Sequence, residues 1–131
     1  KLDNNVAILK IFPGITKEFV HHTLNTPNLK ALIIETYGSG NAPTASWFID
    51  GLKEAIDKGL IVYNVTQCKS GSGEMGRYET SLDLNRIGVL SGHDITTESA
   101  IAKLMYLLGE GYTPEKTKEL LQTPIRGEMT I

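Results

Sequence analysis

The sequence has almost no cysteine, no excess of positive charge and no long apolar run, and each shortage excludes a class of protein. Its one cysteine, Cys68, excludes a disulfide framework and a metal site built from several cysteines. Thirteen Lys and Arg against 15 Asp and Glu leave a net charge of −2, which gives no electrostatic reason to expect nucleic acid or an anionic membrane as partner. No run approaches the roughly 20 apolar residues of a membrane span, and no signal peptide is recognisable. We therefore expect a cytoplasmic protein.

What is present is typical of one globular domain. The chain has 131 residues, of which 40% are apolar and 21% charged. A chain of this length can bury one full core. Because it starts at Lys1 rather than Met, we expect it to be a piece of something longer.

Short apolar runs alternate with amphipathic segments. The runs predict buried strands at 6–11, 31–34, 60–65 and 89–90. Apolar residues three and four positions apart predict the helices, one of them capped by Thr16 and another by Asp94 or Thr96. The pattern predicts an α/β fold with three layers, in which a small parallel sheet of about four strands is flanked by helices, as in flavodoxin-like and Rossmann-like domains.

Polar, glycine-rich segments follow three of these strands, at 37–43, 66–78 and 91–94. The carboxyl ends of parallel strands share one edge of a sheet, where ligands bind. Asn41 follows Gly-Ser-Gly in the first segment, and its amide can either cap the next helix or bind a carboxylate, amide or ammonium group. The segment matches neither phosphate-binding glycine motif, so a nucleotide site is not predicted.

The remaining candidate residues do not form a complete catalytic set. Cys68 is either a small buried residue or a nucleophile with His93 as its base, and the residues alone favour the first. His21 and His22 lie on a predicted helix without a cysteine or acidic residue at ligand spacing, so we expect no metal.

Several segments together resemble the C-terminal domain of type I, cytoplasmic L-asparaginases. They include Ala-Leu-Ile-Ile-Glu-Thr-Tyr-Gly-Ser-Gly-Asn-Ala-Pro (31–43), Asn-Val-Thr-Gln-Cys (64–68), Met-Gly-Arg-Tyr (75–78) and Gly-Val-Leu-Ser-Gly-His-Asp-Ile-Thr-Thr-Glu (88–98). The resemblance covers nearly the whole chain. It implies that residues 1–131 form the smaller C-terminal domain of an asparaginase, and that the N-terminal catalytic domain is absent from this chain.

The resemblance also implies a function. Such enzymes hydrolyse asparagine to aspartate and ammonia with a threonine nucleophile of the N-terminal domain, without metal or cofactor. The chain would thus hold no catalytic residue and be inactive alone. It would join a homodimer or homotetramer through an intimate dimer, in which Asn41 reaches the neighbouring subunit's substrate. Tyr78 or Glu79 matches a second substrate contact.

The resemblance implies an allosteric asparagine site as well, at Cys68 and the nearby strand residues Asn64 and Thr66. Glu35 stands where a bacterial relative has an arginine that holds the effector's carboxylate. This change of sign turns attraction into repulsion and predicts that effector binding differs here.

Two alternatives stay open. The chain could be a free-standing amino-acid-binding or regulatory module without catalysis. It could also belong to a glutaminase-asparaginase or to a tRNA-dependent amidotransferase subunit of the same fold.

Overall fold

In the part of the chain that the structure describes, four strands and four helices of eight or more residues form the architecture. The computed structural model describes residues 2–12, 14–36, 46–66, 83–92 and 95–124. The strands are β1 (Val6–Lys10), β2 (Ala31–Thr36), β3 (Ile61–Thr66) and β4 (Leu90–Ser91). The helices are α1 (Lys17–Leu24), α2 (Ser46–Asp57), α3 (Thr97–Gly109) and α4 (Pro114–Leu121). Residues 83–86 add a helical turn.

Threonine side chains cap three of the helices. Thr16, Thr96 and Thr113 each accept a hydrogen bond from the backbone N–H three residues further along, at 3.1–3.2 Å. Each cap satisfies an N–H group that the first helical turn leaves without an intrahelical partner. Of the two caps predicted for α3, Thr96 is the one that the structure shows.

The sheet is parallel, and its strands lie in chain order, β1-β2-β3-β4. Residue Ala31 of β2 pairs with Val6 on one side and with Ile61 on the other. Crossovers between parallel strands are right-handed, so strands added successively at one side carry their connecting helices on one face. The predicted α/β class is confirmed. Because the strand order does not reverse, the described sheet lacks the switch point of doubly wound folds.

Helices cover both faces of the sheet. We call the face that packs on α1 and α2 the first face, and the face that packs on α3 and α4 the second face. The core on the first face contains Leu9, Ile11, Ile15, Val20, Leu32, Ile34, Phe48, Leu52, Val62, Leu84 and Val89. The core on the second face contains Ala31, Ile33, Ile61, Tyr63, Val65, Ile95, Ala100, Leu104, Leu107 and Leu121. Strand β2 contributes to both cores and is buried throughout.

Two buried polar side chains hold the end of α4 against the second face. The hydroxyl of Tyr63 donates to the carbonyl of Leu121 at 2.7 Å. Lys103 of α3 donates to the carbonyls of Leu121 and Thr123 at 3.3 and 2.7 Å. Cationic donors stabilise helix C-termini because the last carbonyls have no intrahelical partner.

Of the helices in the described ranges, none combines the length and hydropathy needed to cross a bilayer.

Candidate functional site

Polar side chains replace the apolar core where the first face reaches the carboxyl edge of the sheet. On β2 the residues of this face are Leu32, Ile34 and then Thr36. Asn64 pairs in register with Ile34 on one side and with Ser91 of β4 on the other. Since residues in register share a face of a parallel sheet, Thr36, Asn64 and Ser91 form a polar row across three strands. The segments at 37–43 and 66–78, singled out from the sequence, follow β2 and β3 in the chain, and all of their residues except Thr66 lie outside the described residues.

Thr36 and Asn64 are joined by a hydrogen bond. Thr36 is 4% exposed, and its Oγ1 donates to Asn64 Oδ1 at 2.9 Å. Within the described ranges, the carboxamide nitrogen Nδ2 of Asn64 has no hydrogen-bond partner. Asn64 as a residue is partly buried. The hydrogen bond to Thr36 thus uses the acceptor of the Asn64 carboxamide and not its two N–H donors.

Glu35 lies on the second face, in register with Val65. Its side chain is buried and accepts a hydrogen bond from the hydroxyl of Thr97 in the first turn of α3. The ammonium of Lys10 lies 3.8 Å from its other oxygen. A carboxylate near a helix N-terminus is also favoured by the helix dipole. Glu35 thus links β1, β2 and α3.

Gly92 brings the chain after β4 against the end of β3. Its N–H donates to the carbonyl of Asn64 at 2.9 Å. A Cβ atom at this position would lie 2.6 Å from Ile95 Cγ2 and 3.3 Å from that carbonyl. Only glycine fits this approach without displacing a neighbour, and the contact holds the Asn64 backbone in place.

Some of the residues predicted from the sequence can be located. Glu35 and Asn64, both predicted for an allosteric site, lie on opposite faces of the sheet. Thr66 ends β3, and its backbone is in register with Thr36. The other predicted site residues lie outside the described residues: Asn41, Cys68, Tyr78 and Glu79.

Thr36 and Thr97 were not among the residues predicted from the sequence. The period of two along β2 was the available signal for Thr36, because it places a hydroxyl directly beyond two core positions. No local signal pairs Thr97 with Glu35.

In the part of the chain that the structure describes, no group of three or more His, Cys, Asp or Glu side chains could hold a metal ion.

A cavity of about 410 Å³ lies at the other end of the sheet. Its lining includes Lys30 and Ile61, which lie at the amino ends of β2 and β3, together with His21, Lys58 and Tyr112. Lys30 is paired with Asp3, and Lys58 lies 3.6 Å from Glu54. Both lysines thus already have acidic partners, and the cavity is far from the polar row.

The family of the chain follows from its match to the glutaminase/asparaginase C-terminal domain over residues 5–121. The chain belongs to this family. It is 41% identical to L-asparaginase 1 of Escherichia coli K12, over 95% of the chain and 37% of that protein. It therefore spans a little more than a third of this relative's length.

Solved structures of the glutaminase/asparaginase family share the fold. The crystal structure of L-asparaginase I from Vibrio cholerae matches with a TM-score of 0.85 and 40% identity, over 98% of this chain and 39% of that one. This likeness confirms the predicted resemblance and the arrangement of sheet and helices.

Other relatives in the family have names that describe other activities. The human 60 kDa lysophospholipase is 39% identical over 98% of this chain and 22% of that protein. One component of the glutamyl-tRNA(Gln) amidotransferase of Pyrococcus furiosus is 32% identical over 99% of this chain and 29% of that protein. The family domain therefore occurs in proteins of more than one described activity.

Proposed function

We propose that this chain is part of an L-asparaginase, which hydrolyses L-asparagine to L-aspartate and ammonia. Residues 1–131 would be its smaller C-terminal domain, and an N-terminal domain outside this chain would supply the threonine nucleophile. The observation that carries the proposal is the 41% identity to E. coli L-asparaginase 1 over 95% of the chain. No metal or cofactor takes part in the proposed reaction.

In this proposal the chain completes the active site of a neighbouring subunit. Asn41 lies between β2 and α2 in the sequence, after the carboxyl end of β2. Its amide would hold the α-substituents of asparagine in the neighbour's site, which lowers the entropic cost of nucleophilic attack. Tyr78 or Glu79 would provide a second contact. The assembly would be a cytoplasmic homodimer or homotetramer built on an intimate dimer.

An effector site for asparagine is part of the same proposal. Cys68, Asn64 and Thr66 would belong to it, near the end of β3. We expect effector binding to differ from that in the bacterial relative, which has an arginine at the position of Glu35. The contacts of Glu35 with Thr97 and Lys10 support this expectation. An effector's carboxylate would be repelled by Glu35, so it has to bind elsewhere at this edge.

The test is a variant of the complete polypeptide that carries this chain. Asn41→Ala should lower kcat/KM for asparagine about tenfold to a hundredfold, because an orienting contact to the substrate is lost. Asn85→Ala is the matched control, since Asn85 is an exposed asparagine in the 83–86 helical turn. Unaltered kcat/KM in Asn41→Ala would show that the assigned role is wrong.

The relatives define the competing functions. Wild-type polypeptide should be assayed in parallel on asparagine, glutamine, a lysophospholipid and misacylated Glu-tRNA(Gln). The proposal expects the highest kcat/KM on asparagine. Asparagine binding without turnover of any substrate would instead favour a regulatory module.

A further inference from the structure

We infer that the outer side of β1, the side that faces away from β2, is a self-association surface. Its partner is β1 of a second copy of this chain, which pairs antiparallel about a twofold axis at Ile8. The inference goes beyond the proposed function, because it concerns this lateral strand rather than the carboxyl edge of the sheet, and it does not depend on the catalytic assignment.

The first step is the backbone of β1. In the described part of the chain, β1 pairs with β2 alone. Ile11 donates its N–H toward β2, and the carbonyl of Asn5 accepts from the residue before β2, so the odd-numbered residues bond to β2. Because successive residues of a strand direct their N–H and C=O groups to opposite sides, those of Ile8 and Lys10 face outward. Such a row of backbone groups is a template for a further strand.

The second step is the apolar side chains beside this row. Ile8 is 43% exposed and lies on the second face, in register with Ile33. Phe19 of α1 is 52% exposed on the first face. His21 lies near Gly51 and so faces α2, whereas Phe19, two positions earlier, lies about 200° away around the helix axis. Phe19 therefore flanks the outer side of β1.

The third step is the register. In an antiparallel pair centred on Ile8, the two Ile8 residues exchange N–H···O=C bonds, and the N–H of Lys10 meets the carbonyl of Val6 in the second copy. The N–H of Val6 already donates to the carbonyl of Asn4 at 2.8 Å within its own chain. The register therefore uses backbone groups that face outward and requires no new partner for this one.

The fourth step is the apolar area. Leu2 and Phe12, before and after β1, are about half exposed, as Ile8 and Phe19 are. In this register Leu2 and Phe12 of opposite copies are diagonal neighbours. Burying a large side chain removes about 150–250 Å², so the four offer roughly 400 Å² per copy. Since about 60% of an interface is apolar, two copies would bury about 1,300 Å² in total, within the range of specific interfaces.

Charge and strand length favour a second copy as the partner. A lysine on a lateral strand ordinarily opposes the addition of another strand. Here Lys10 would face Val6 rather than the other Lys10, and its own Glu35 at 3.8 Å offsets its charge. The other lateral strand of the described sheet, β4, has only two residues and is too short to pair with β1 of another copy. Association through β1 therefore closes as a twofold pair instead of continuing as a filament.

The experiment places charges at the twofold axis in the complete polypeptide. Ile8→Glu opposes two carboxylates and Ile8→Lys opposes two ammonium groups, and like charges directly opposite each other destabilise a strand pair. By sedimentation velocity, each variant alone should have half the assembly mass of wild type. An equimolar mixture of the two should restore the wild-type mass, because opposite charges then face each other.

Tyr106→Glu and Tyr106→Lys are the matched controls. Tyr106 is 45% exposed, but it lies on the flank of α3 that carries Lys103 toward α4, away from β1. These variants should keep the wild-type mass. A monomeric wild type, an unaltered mass of the Ile8 variants or a mixture that stays at half mass would overturn the inference.

Hydrogen exchange locates the interface. The outward amide of Lys10 should exchange slowly in wild type and at least about tenfold faster in Ile8→Glu, because its hydrogen bond exists only in the pair. The amide of Ile11 bonds to β2 and should stay slow in both proteins. Fast exchange at Lys10 in wild type would contradict the inference.

Failure of the inference can be told from failure of the proposed function. The Ile8 variants should keep kcat/KM for asparagine within about twofold, because Ile8 lies away from the carboxyl edge of the sheet. Halved mass in a protein whose wild type does not hydrolyse asparagine would support the inference and contradict the proposed function. Hydrolysis by wild type with unaltered mass of the variants would contradict the inference alone.

Discussion

Glu35 and Thr36 are consecutive residues, but their side chains lie on opposite faces of the sheet. Glu35 contacts Thr97 at the start of α3, whereas Thr36 contacts Asn64 on the neighbouring strand. Both side chains are buried, and both have polar partners. The strand geometry therefore lets two adjacent polar residues serve separate purposes, one within the fold and one at the candidate site.

Gly92 provides a prediction at this scale. Gly92→Ala should destabilise the protein by about 1–3 kcal/mol, because the new Cβ overpacks against Ile95. Gly51→Ala is the matched control, since its Cβ would lie at ordinary contact distance, 3.7 Å from Leu24, inside α2. There alanine should stabilise by about 0.5–1 kcal/mol. Urea denaturation measures both, and a neutral Gly92→Ala would contradict the packing argument.

The individual elements are short and depend on contacts with one another. Helices α1 and α4 have eight residues each, below the length at which isolated helices are stable in water. A threonine caps the start of each, and Tyr63 and Lys103 hold the end of α4. The helices therefore form because the sheet binds their apolar sides, and their caps set where they begin.

Asp3 connects two elements and makes their stability depend on pH. It pairs with Lys30 just before β2, and this hydrogen bond, with a second one from the Asn5 backbone, lowers the pKa of Asp3. An aspartate with a lowered folded-state pKa stabilises the protein above its unfolded value of about 3.9, and this contribution is lost as the pH falls through the folded value.

The measurement is thermal unfolding of wild type and Asp3→Asn between neutral and strongly acidic pH. The variant should have the lower melting temperature at neutral pH. In acid, where Asp3 is protonated, the melting temperatures of wild type and variant should converge. The difference should shrink in high salt because Lys30 is more than half exposed. Lys30→Met removes the same ion pair. The loss of stability on acidification should therefore be smaller in this variant than in wild type. An Asp3→Asn difference that persists unchanged at low pH would refute the assignment.

In the molecule as a whole, one sheet separates two apolar cores. Ile33 and Ile34 are adjacent and fully buried, but the first belongs to the core under α3 and α4 and the second to the core under α1 and α2. Among the described residues, each core draws its helical side chains from the helices of its own face. The two cores therefore share the strands but not their side-chain partners.

This separation predicts additive stability changes. Ile33→Val and Ile34→Val should each cost about 0.5–1.5 kcal/mol, the usual effect of removing one buried methylene. The double variant should cost their sum within about 0.5 kcal/mol, although the residues are neighbours in the chain. Denaturant unfolding of the four proteins tests this, and a larger coupling would show that the cores respond as one.

Much of the fold was predictable from local patterns. The cap at Thr16 and the apolar runs of the four strands predicted elements that the structure confirms. The family was predictable too, because its motifs lie in continuous segments. The candidate site was less so: Asn64 was proposed from the resemblance and stays a prediction, whereas the hydrogen bond from Thr36 to Asn64 was missed, because it depends on how two strands pair.

By itself, the sequence determined the parallel α/β class, the start of α1 and the family, since apolar spacing and capping act within about a dozen residues. Only the tertiary structure decided that the strands lie in chain order and that Glu35 pairs with Thr97, 62 positions away. It alone also joined Thr36 to Asn64, 28 positions away. The physical reason is that the contact of Thr36 depends on the register of two neighbouring strands, and that of Glu35 depends on where a helix packs on the sheet.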